Sequence, residues 1–403
     1  MVERRVPQWS EIRPLLAIRP PFTGPSAVER AASIEDLRRI AKRRTPRSVF
    51  DYVDGAAGQE LSLARSRDAF GRVEFHPHVL NDVAAIDTTW DILGEKSALP
   101  YAFSPTGFTR MMNVEGEPAV ARVAREFGIP YALSTLGTTS PEELTAAVPD
   151  ARRWFQLYLL REHQSRRDLL ARVAASGYET IILTVDTVVA GSRLRDVRNG
   201  LTIPPQLTAK TLAGMAIHPR WWINALTTEP LEFASLRSTD GTVADLINNV
   251  FDPSITMDDV RWLRDSWQGK LLIKGVQNID DAAMLADEGV DGVILSNHGG
   301  RQLDRSAVPL ELLQPTRAAL GQDFPIFIDG GVMSGADIVA AVGLGASGVL
   351  VGRAYLYGIM ADGERGVRRV AEILRGEIEQ TMRLMGVTSL SDITPGMVTL
   401  RSH

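Results

Sequence analysis

Apolar and β-branched residues along the chain gather into eight short runs, beginning at Tyr101 (YAFSP), Tyr131 (YALST), Trp154 (WFQLYL), Ile181 (IILTV), Leu271 (LLIKG), Val293 (VILSN), Pro325 (PIFID) and Gly348 (GVLVG). Each run is too short for a helix and bounded by glycine, proline or polar residues, which is the pattern of a strand buried on both faces. Between them the period lengthens to that of an amphipathic helix, as in GEPAVARVAREFG, PEELTAAV, SRRDLLARVAASG, IDDAAMLADEGV, PLELLQPTRAALG, SGADIVAAVGLG and GERGVRRVAEILRGEIEQTMRLMG. Successive strand starts lie 30, 23, 27, 90, 22, 32 and 23 residues apart. Eight βα units predict a closed α/β structure, a (β/α)8 TIM barrel, with helices outside a parallel sheet.

The spacing of 90 breaks the repeat after the fourth strand. MDDVRWLRDSWQ supplies the helix due there, so residues 191–253 form an insertion. It leaves the C-terminal end of a strand, where this fold places its active site, and is expected to cover the barrel mouth. Its apolar piece HPRWWINAL is suited to packing on a neighbouring subunit or to touching a membrane. Residues 1–80 precede the barrel as an N-terminal helical cap, all within one domain of residues 1–403. Ser33 and Asp36 have capping-box spacing ahead of a helix. The basic cluster Arg38, Arg39, Lys42, Arg43, Arg44 and Arg47 is expected to be a solvated helix face.

Composition narrows the chemistry. There is no cysteine in the 403 residues, which excludes disulfides, thiolate metal sites and cysteine nucleophiles, so redox chemistry would need an organic cofactor. The net charge is −5, so no global field draws the chain to nucleic acid. MVERRVPQWSEIRPLL lacks the apolar core of a signal peptide, and the longest uncharged apolar stretch, residues 338–352, is too short for a bilayer. A cytoplasmic location is the expectation, with peripheral contact at the inner face of the cell membrane left open. His76 and His78 have no accompanying metal motif, so no metal site is expected.

GLGASG (343–348) matches a dinucleotide fingerprint, but a helix precedes it and a strand follows, the reverse of the required order. A better anion site lies in DGGVMSG (329–335) and GRAYLYG (352–358), at the ends of strands seven and eight. Barrels often bind phosphate there through backbone N–H groups, with Arg353 adding a charge-assisted contact. SNHGGRQLD (296–304) ends strand six, and its His298 is a candidate general base, although a strand-end histidine is as often structural. Asp186 in LTVD could orient it. Arg193 and Arg301 could converge on one carboxylate. Lys274 at a strand end could stabilise negative charge on a reduced cofactor or form a Schiff base.

The combination of FDYVDG, SPTG, STLGT, FQLY, LTVDT, IKG, SNHGGRQLD, DGG and VGRAYLYG resembles the FMN-dependent L-2-hydroxy acid oxidases and dehydrogenases, over about residues 33–392. RDVRNG, HPRWW and NNVFDPSITMDDVRWLRD look most like the quinone-linked L-lactate dehydrogenases of bacteria. The resemblance implies FMN as cofactor, His298 as base with Asp186 behind it, and Arg193 and Arg301 on the substrate carboxylate. It places Tyr52 and Tyr158 on the substrate and Lys274 by the flavin N1 and O2 edge. Pro105, Thr106 and Gly107 would approach flavin N5, and Ser134, Gln156, Thr184 and Ser296 would hold the ring. Asp329, Gly330, Gly331, Gly352 and Arg353 would take the ribityl chain and phosphate.

The implied reaction is oxidation of an L-2-hydroxy acid, L-lactate first, to the 2-oxo acid, with a quinone as acceptor. The alternative is an oxidase of the lactate or mandelate type that uses O2 and releases H2O2. A homotetramer or homo-octamer is what the family suggests. Two other classes compete: a non-catalytic flavin or phosphometabolite barrel, and a nucleotide dehydrogenase resembling the IMP type, against which the missing cysteine argues. Three positions depart from the family pattern. Met333 stands where many members have arginine, Leu136 replaces a bulky aromatic, and Gly107 replaces the alanine of oxidases, which should open space by N5.

Overall fold

The computed structural model describes residues 8–12, 25–200, 216–236 and 252–402. Of the insertion at 191–253, residues 201–215 and 237–251 lie outside that set, as does most of MVERRVPQWSEIRPLL. Eight parallel strands close into a barrel in sequential order: β1 (Tyr101–Phe103), β2 (Tyr131–Ser134), β3 (Arg153–Leu157), β4 (Thr180–Thr184), β5 (Lys270–Val276), β6 (Gly292–Ser296), β7 (Ile326–Asp329) and β8 (Gly348–Val351). Every predicted strand is present, and each start agrees to within one residue.

Alternation along these strands sorts side chains into two shells. Residues facing outward pack under the surrounding helices in the main core. Those facing inward form a separate apolar layer: Ala102, Ala132, Trp154, Ile182, Leu272, Ile294, Phe327 and Leu350, one from each strand. The two large rings, Trp154 and Phe327, meet edge to face at 6.1 Å and fill the space left by the two alanines. Ile92, from an antiparallel hairpin (Trp90–Ile92 with Glu95–Ser97), plugs the N-terminal mouth beneath them.

The helices follow the strands as the period predicts, with one difference. The last begins directly after β8 and runs Arg353–Met385, kinked at Asp362 and Gly363. Its first part, AYLYGIMA, is buried throughout and so carries no polar face from which a helical period could be read. The capping box at Ser33 forms, with Asp36 N–H donating to the serine Oγ and the Ser33 N–H donating to the aspartate. The basic cluster behind it is largely ion-paired, Arg39 to Asp36, Arg44 to Asp362 and Arg47 to Asp51.

Arg38 does more. It donates to buried Asp54, which also accepts from Arg195 of the insertion and from the Tyr357 hydroxyl of the last helix. One carboxylate thus fastens the cap, the insertion and the barrel to each other, and fixes the short helix Arg47–Asp54 that carries Tyr52. Burial alone would raise the Asp54 pKa, but Arg38, Tyr357 and Arg195 bring it down to about 2. A group with a depressed folded-state pKa adds stability above its unfolded value and loses it as pH falls toward the folded one. Asp54→Ala is therefore expected to lower the unfolding free energy by about 1.5–3 kcal/mol at neutral pH, the worth of hydrogen bonds to a charged group. Urea titrations should show that deficit shrinking as pH is lowered from about 4 toward 2.

Candidate active site

Two residues beyond the apolar layer the inward positions become polar on seven of the eight strands: Ser104, Ser134, Gln156, Thr184, Lys274, Ser296 and Asp329, with Gly352 on the eighth. This ring is the floor of a cavity of about 420 Å³ at the C-terminal mouth. Lys274 is buried and pairs with Asp329 at 2.7 Å. It also donates to Ser296 Oγ at 3.0 Å, and that hydroxyl donates to Asp329 at 3.0 Å. Burial would pull the lysine pKa down, but the carboxylates of Asp329 and Asp186 hold it above its usual value. A lysine kept protonated is a fixed positive charge and not a Schiff-base nucleophile.

His298 follows β6 in a left-handed conformation (φ 56°), unusual for a residue with a side chain and a mark of strain at a site. The turn aims its ring into the cavity, with Nδ1 3.0 Å from Asp186 Oδ1. Asp186 is behind the wall and can come so close because Gly275 opposes it: a Cβ there would lie 2.6 Å from the carboxyl carbon. Burial pushes the Asp186 pKa up, but the imidazole and the charge of Lys274 outweigh it and keep the carboxylate ionised.

Across the cavity Arg193 and Arg301 stack on the Tyr52 ring, their guanidinium carbons 5.1 and 4.8 Å from its centroid. Arg193 pairs with Asp196 at 3.1 Å. Arg301 donates to the Tyr52 carbonyl at 2.5 Å and has no carboxylate partner among the described residues. Burial, with Arg193 alongside, pulls its pKa down to about 10. A guanidinium in that position is stabilised by any anion that reaches it. Tyr158 also lines the cavity, and burial pushes its hydroxyl pKa up.

The remaining predicted positions divide by place. Pro105, Thr106, Gly107, Ser134, Gln156, Thr184, Asp329, Gly352 and Arg353 line the same cavity. Gly330 and Gly331 line a smaller one beside it, with Asp329, Gly352 and Arg353. Ser296 lies beneath, its hydroxyl engaged by Lys274, Asp329 and the His298 N–H. The space expected at Gly107 is absent, because a Cβ there would sit 3.1 Å from Leu136 Cβ, so Leu136 occupies that direction.

Four contributors were not anticipated. Ser104 completes the polar ring and was legible from the period-two alternation. Asn297 donates to Ser66 Oγ and accepts from the Gly300 N–H, shaping the turn. Gln302 donates to the carbonyls of Asp186 and Val189 and accepts from the Gly191 N–H, tying the start of the insertion to the histidine turn. Asp304 accepts from the N–H groups of Gln59 and Ser62 and so caps the cap helix Leu61–Gly71. Gly300 apart, these partners lie more than 100 residues away in sequence, and no local pattern points to them.

A flat heterocycle with a phosphate tail fits this arrangement. Gln156 Nε2 and Thr184 Oγ1 are buried and without a hydrogen-bond partner among the described residues, so a bound polar edge would complete them. Lys274 is the adjoining charge, and the glycine-rich ends of β7 and β8 adjoin a guanidinium at a helix start. The fold and site define a flavin-type barrel protein with a His–Asp pair and an arginine-lined anion pocket. The chain belongs to the FMN-dependent dehydrogenase family, whose model matches residues 41–400, and FMN is its cofactor.

Over 400 residues the chain is 54% identical to a Mycobacterium tuberculosis protein named "Putative L-lactate dehydrogenase", covering 99% of this chain and 97% of that one. It is 40% identical over 369 residues to the L-lactate dehydrogenase of Caulobacter vibrioides, covering 90% and 96% of the two chains. The crystal structure of the monotopic membrane protein (S)-mandelate dehydrogenase superimposes with a TM-score of 0.89 at 36% identity, covering 92% of this chain and 100% of that one.

Removal of the helix cap is a direct test of the histidine turn's anchoring. Asp304→Ala is expected to cost about 0.5–2 kcal/mol. Thermal unfolding of the full chain should show a midpoint lowered by a few degrees, and Asp304→Asn, which keeps a cap oxygen, should recover most of the loss.

Proposed function

We propose that the protein oxidises an L-2-hydroxy acid, with L-lactate as preferred substrate, to the 2-oxo acid and passes the electrons to a quinone-type acceptor. The observation that carries this reading is the His298–Asp186 pair facing two guanidiniums, one of them without a carboxylate partner among the described residues. Arg193 and Arg301 bind the substrate carboxylate, and Tyr52 between them and Tyr158 direct hydroxyls at it. That fixes C2 and its hydroxyl beside His298. Because Nδ1 is committed to Asp186, Nε2 takes the hydroxyl proton, and the ionised carboxylate stabilises the imidazolium that results.

FMN, when bound, accepts the electron pair that leaves the substrate. Gln156, Thr184, Ser134 and the backbone of Pro105, Thr106 and Gly107 hold its ring, Lys274 supports the charge it gains, and Ser296 positions Lys274. Asp329, Gly330, Gly331, Gly352 and Arg353 hold the ribityl and phosphate end. The non-oxygen acceptor is supported by the dehydrogenase names of the relatives. A peripheral membrane site for a quinone is supported by the monotopic mandelate dehydrogenase and by the exposed Ile217, Ile223 and Leu226 on and beside the insertion helix Pro219–Leu226. No helix among the described residues is long and apolar enough to cross a membrane.

Anaerobic mixing of the holoenzyme with L-lactate is expected to bleach the flavin. His298→Ala should retain FMN, seen in its visible spectrum, and bleach about 10²- to 10⁴-fold more slowly. Bleaching at the wild-type rate in the variant would overturn the base assignment. After reduction, a soluble quinone analogue should reoxidise the flavin at least ~10-fold faster than air-saturated buffer, a margin of about 1.4 kcal/mol in barrier. Equal rates would replace the quinone reading by that of an O2-using oxidase and leave the substrate reading intact.

A further inference from the structure

The smaller cavity beside the site is lined by Arg67, Gly330, Gly331, Met333, Gly352 and Arg353 among others. A phosphate monoester at neutral pH carries about −1.5 to −2 charges. Arg353 is poorly placed to balance that alone. Its Nε donates to the Val53 carbonyl at 3.0 Å, and its Nη2 donates to Gly55 and Gly299 at 3.0 and 2.8 Å. Only Nη1 has no bonded partner among the described residues, and position 333, on the same loop, offers an uncharged thioether.

A second guanidinium reaches the cavity from the N-terminal cap. Helix Leu61–Gly71 lies directly on the glycine loop after β7, for a Cβ on Gly331 (φ 84°) would collide with the Ser66 carbonyl and come within 3.0 Å of the Phe70 ring. Ser66 is itself held by Asn297 at 3.0 Å, so the next residue has little freedom of position. That residue is Arg67, with Nη2 3.9 Å from Met333 Sδ and no ion pair to a carboxylate among the described residues. Burial, then the nearby Arg67 charge, lowers the Arg353 pKa against the opposing effect of Tyr357, so the two arginines are close enough to repel.

We infer that Arg67 is the second cation of the FMN phosphate site, supplying from the cap the charge that Met333 does not. Two guanidiniums that repel each other over a glycine-lined loop become a clamp once a dianion lies between them. The cofactor then bridges the cap and the barrel, so FMN binding and cap docking reinforce each other.

The inference rests on the FMN assignment and not on the choice of substrate, and its test contains no hydroxy acid. The full chain, stripped of flavin, is titrated with FMN and with riboflavin, which lacks the phosphate, following quenching of flavin fluorescence. Arg67→Met should weaken FMN by about 10- to 100-fold, the worth of one charge-assisted contact, and leave riboflavin affinity unchanged. Equal weakening of both flavins, as a merely structural arginine would give, overturns the inference, and so does unchanged FMN affinity. If Arg67→Met does not fold, Arg67→Gln carries the same comparison. Arg67→Lys, which keeps the charge, should retain most of the preference for FMN.

Discussion

Everything at the mouth of this barrel depends on a change of polarity between two successive inward-facing layers. Below it, eight apolar side chains close the interior without a channel. One step of the strand period above it, seven polar side chains and a glycine stand at the same angular positions. Because side chains alternate faces along a strand, the two layers cannot mix unless a strand slips by a residue, and a slip would bury polar groups in the outer core. The apolar layer therefore sets the height at which the polar ring stands. Trp154 and Phe327 do this for opposite sides of the barrel, and Gln156 and Asp329 stand directly above them.

Much of this could be seen in the sequence because it is local. Strand starts, the polarity switch at each strand end and the order of units follow from period and spacing alone. Asp304 and Gln302 show the other case. The last residues of SNHGGRQLD fasten the cap helix and the insertion, which lie elsewhere in sequence, and Gln302 lines the cavity as it does so. A motif whose spacing is fixed by one strand end can thus be constrained by partners that spacing cannot reveal. Asp54 is a similar case, an aspartate in a short helix whose three partners come from three separate segments. The buried first part of the last helix was missed for the opposite reason: with no solvent face, it has no period.

Gly107 illustrates how a sequence departure is corrected by its neighbour. A glycine in place of alanine suggests vacant space, but the volume is taken by Leu136 from the loop after β2. The two positions form one packing unit, and the glycine is better understood as what allows Leu136 to stand there. Reading either residue alone assigns the wrong consequence to it.

The charge of the site follows a comparable logic. The chain as a whole carries −5, yet its mouth gathers Arg67, Arg193, Lys274, Arg301 and Arg353 around a single cavity system. Lys274 is paired internally with Asp329, while the arginines fall into two pairs, Arg193 with Arg301 and Arg67 with Arg353; burial first, and the neighbouring guanidinium after it, lowers the pKa of Arg301 and of Arg353. Protein carboxylates offset part of the repulsion in each pair, Asp196 beside Arg193 and Arg301, Asp54 and Asp329 near Arg353; on the proposed reading a substrate carboxylate would complete the first pair and a phosphate the second. An anion reaching either pair would offset the repulsion that those carboxylates leave. Both pairs draw on segments outside the barrel, Arg67 on the cap and Arg193 on the insertion, so on the proposed reading ligand binding and the docking of those segments would reinforce each other.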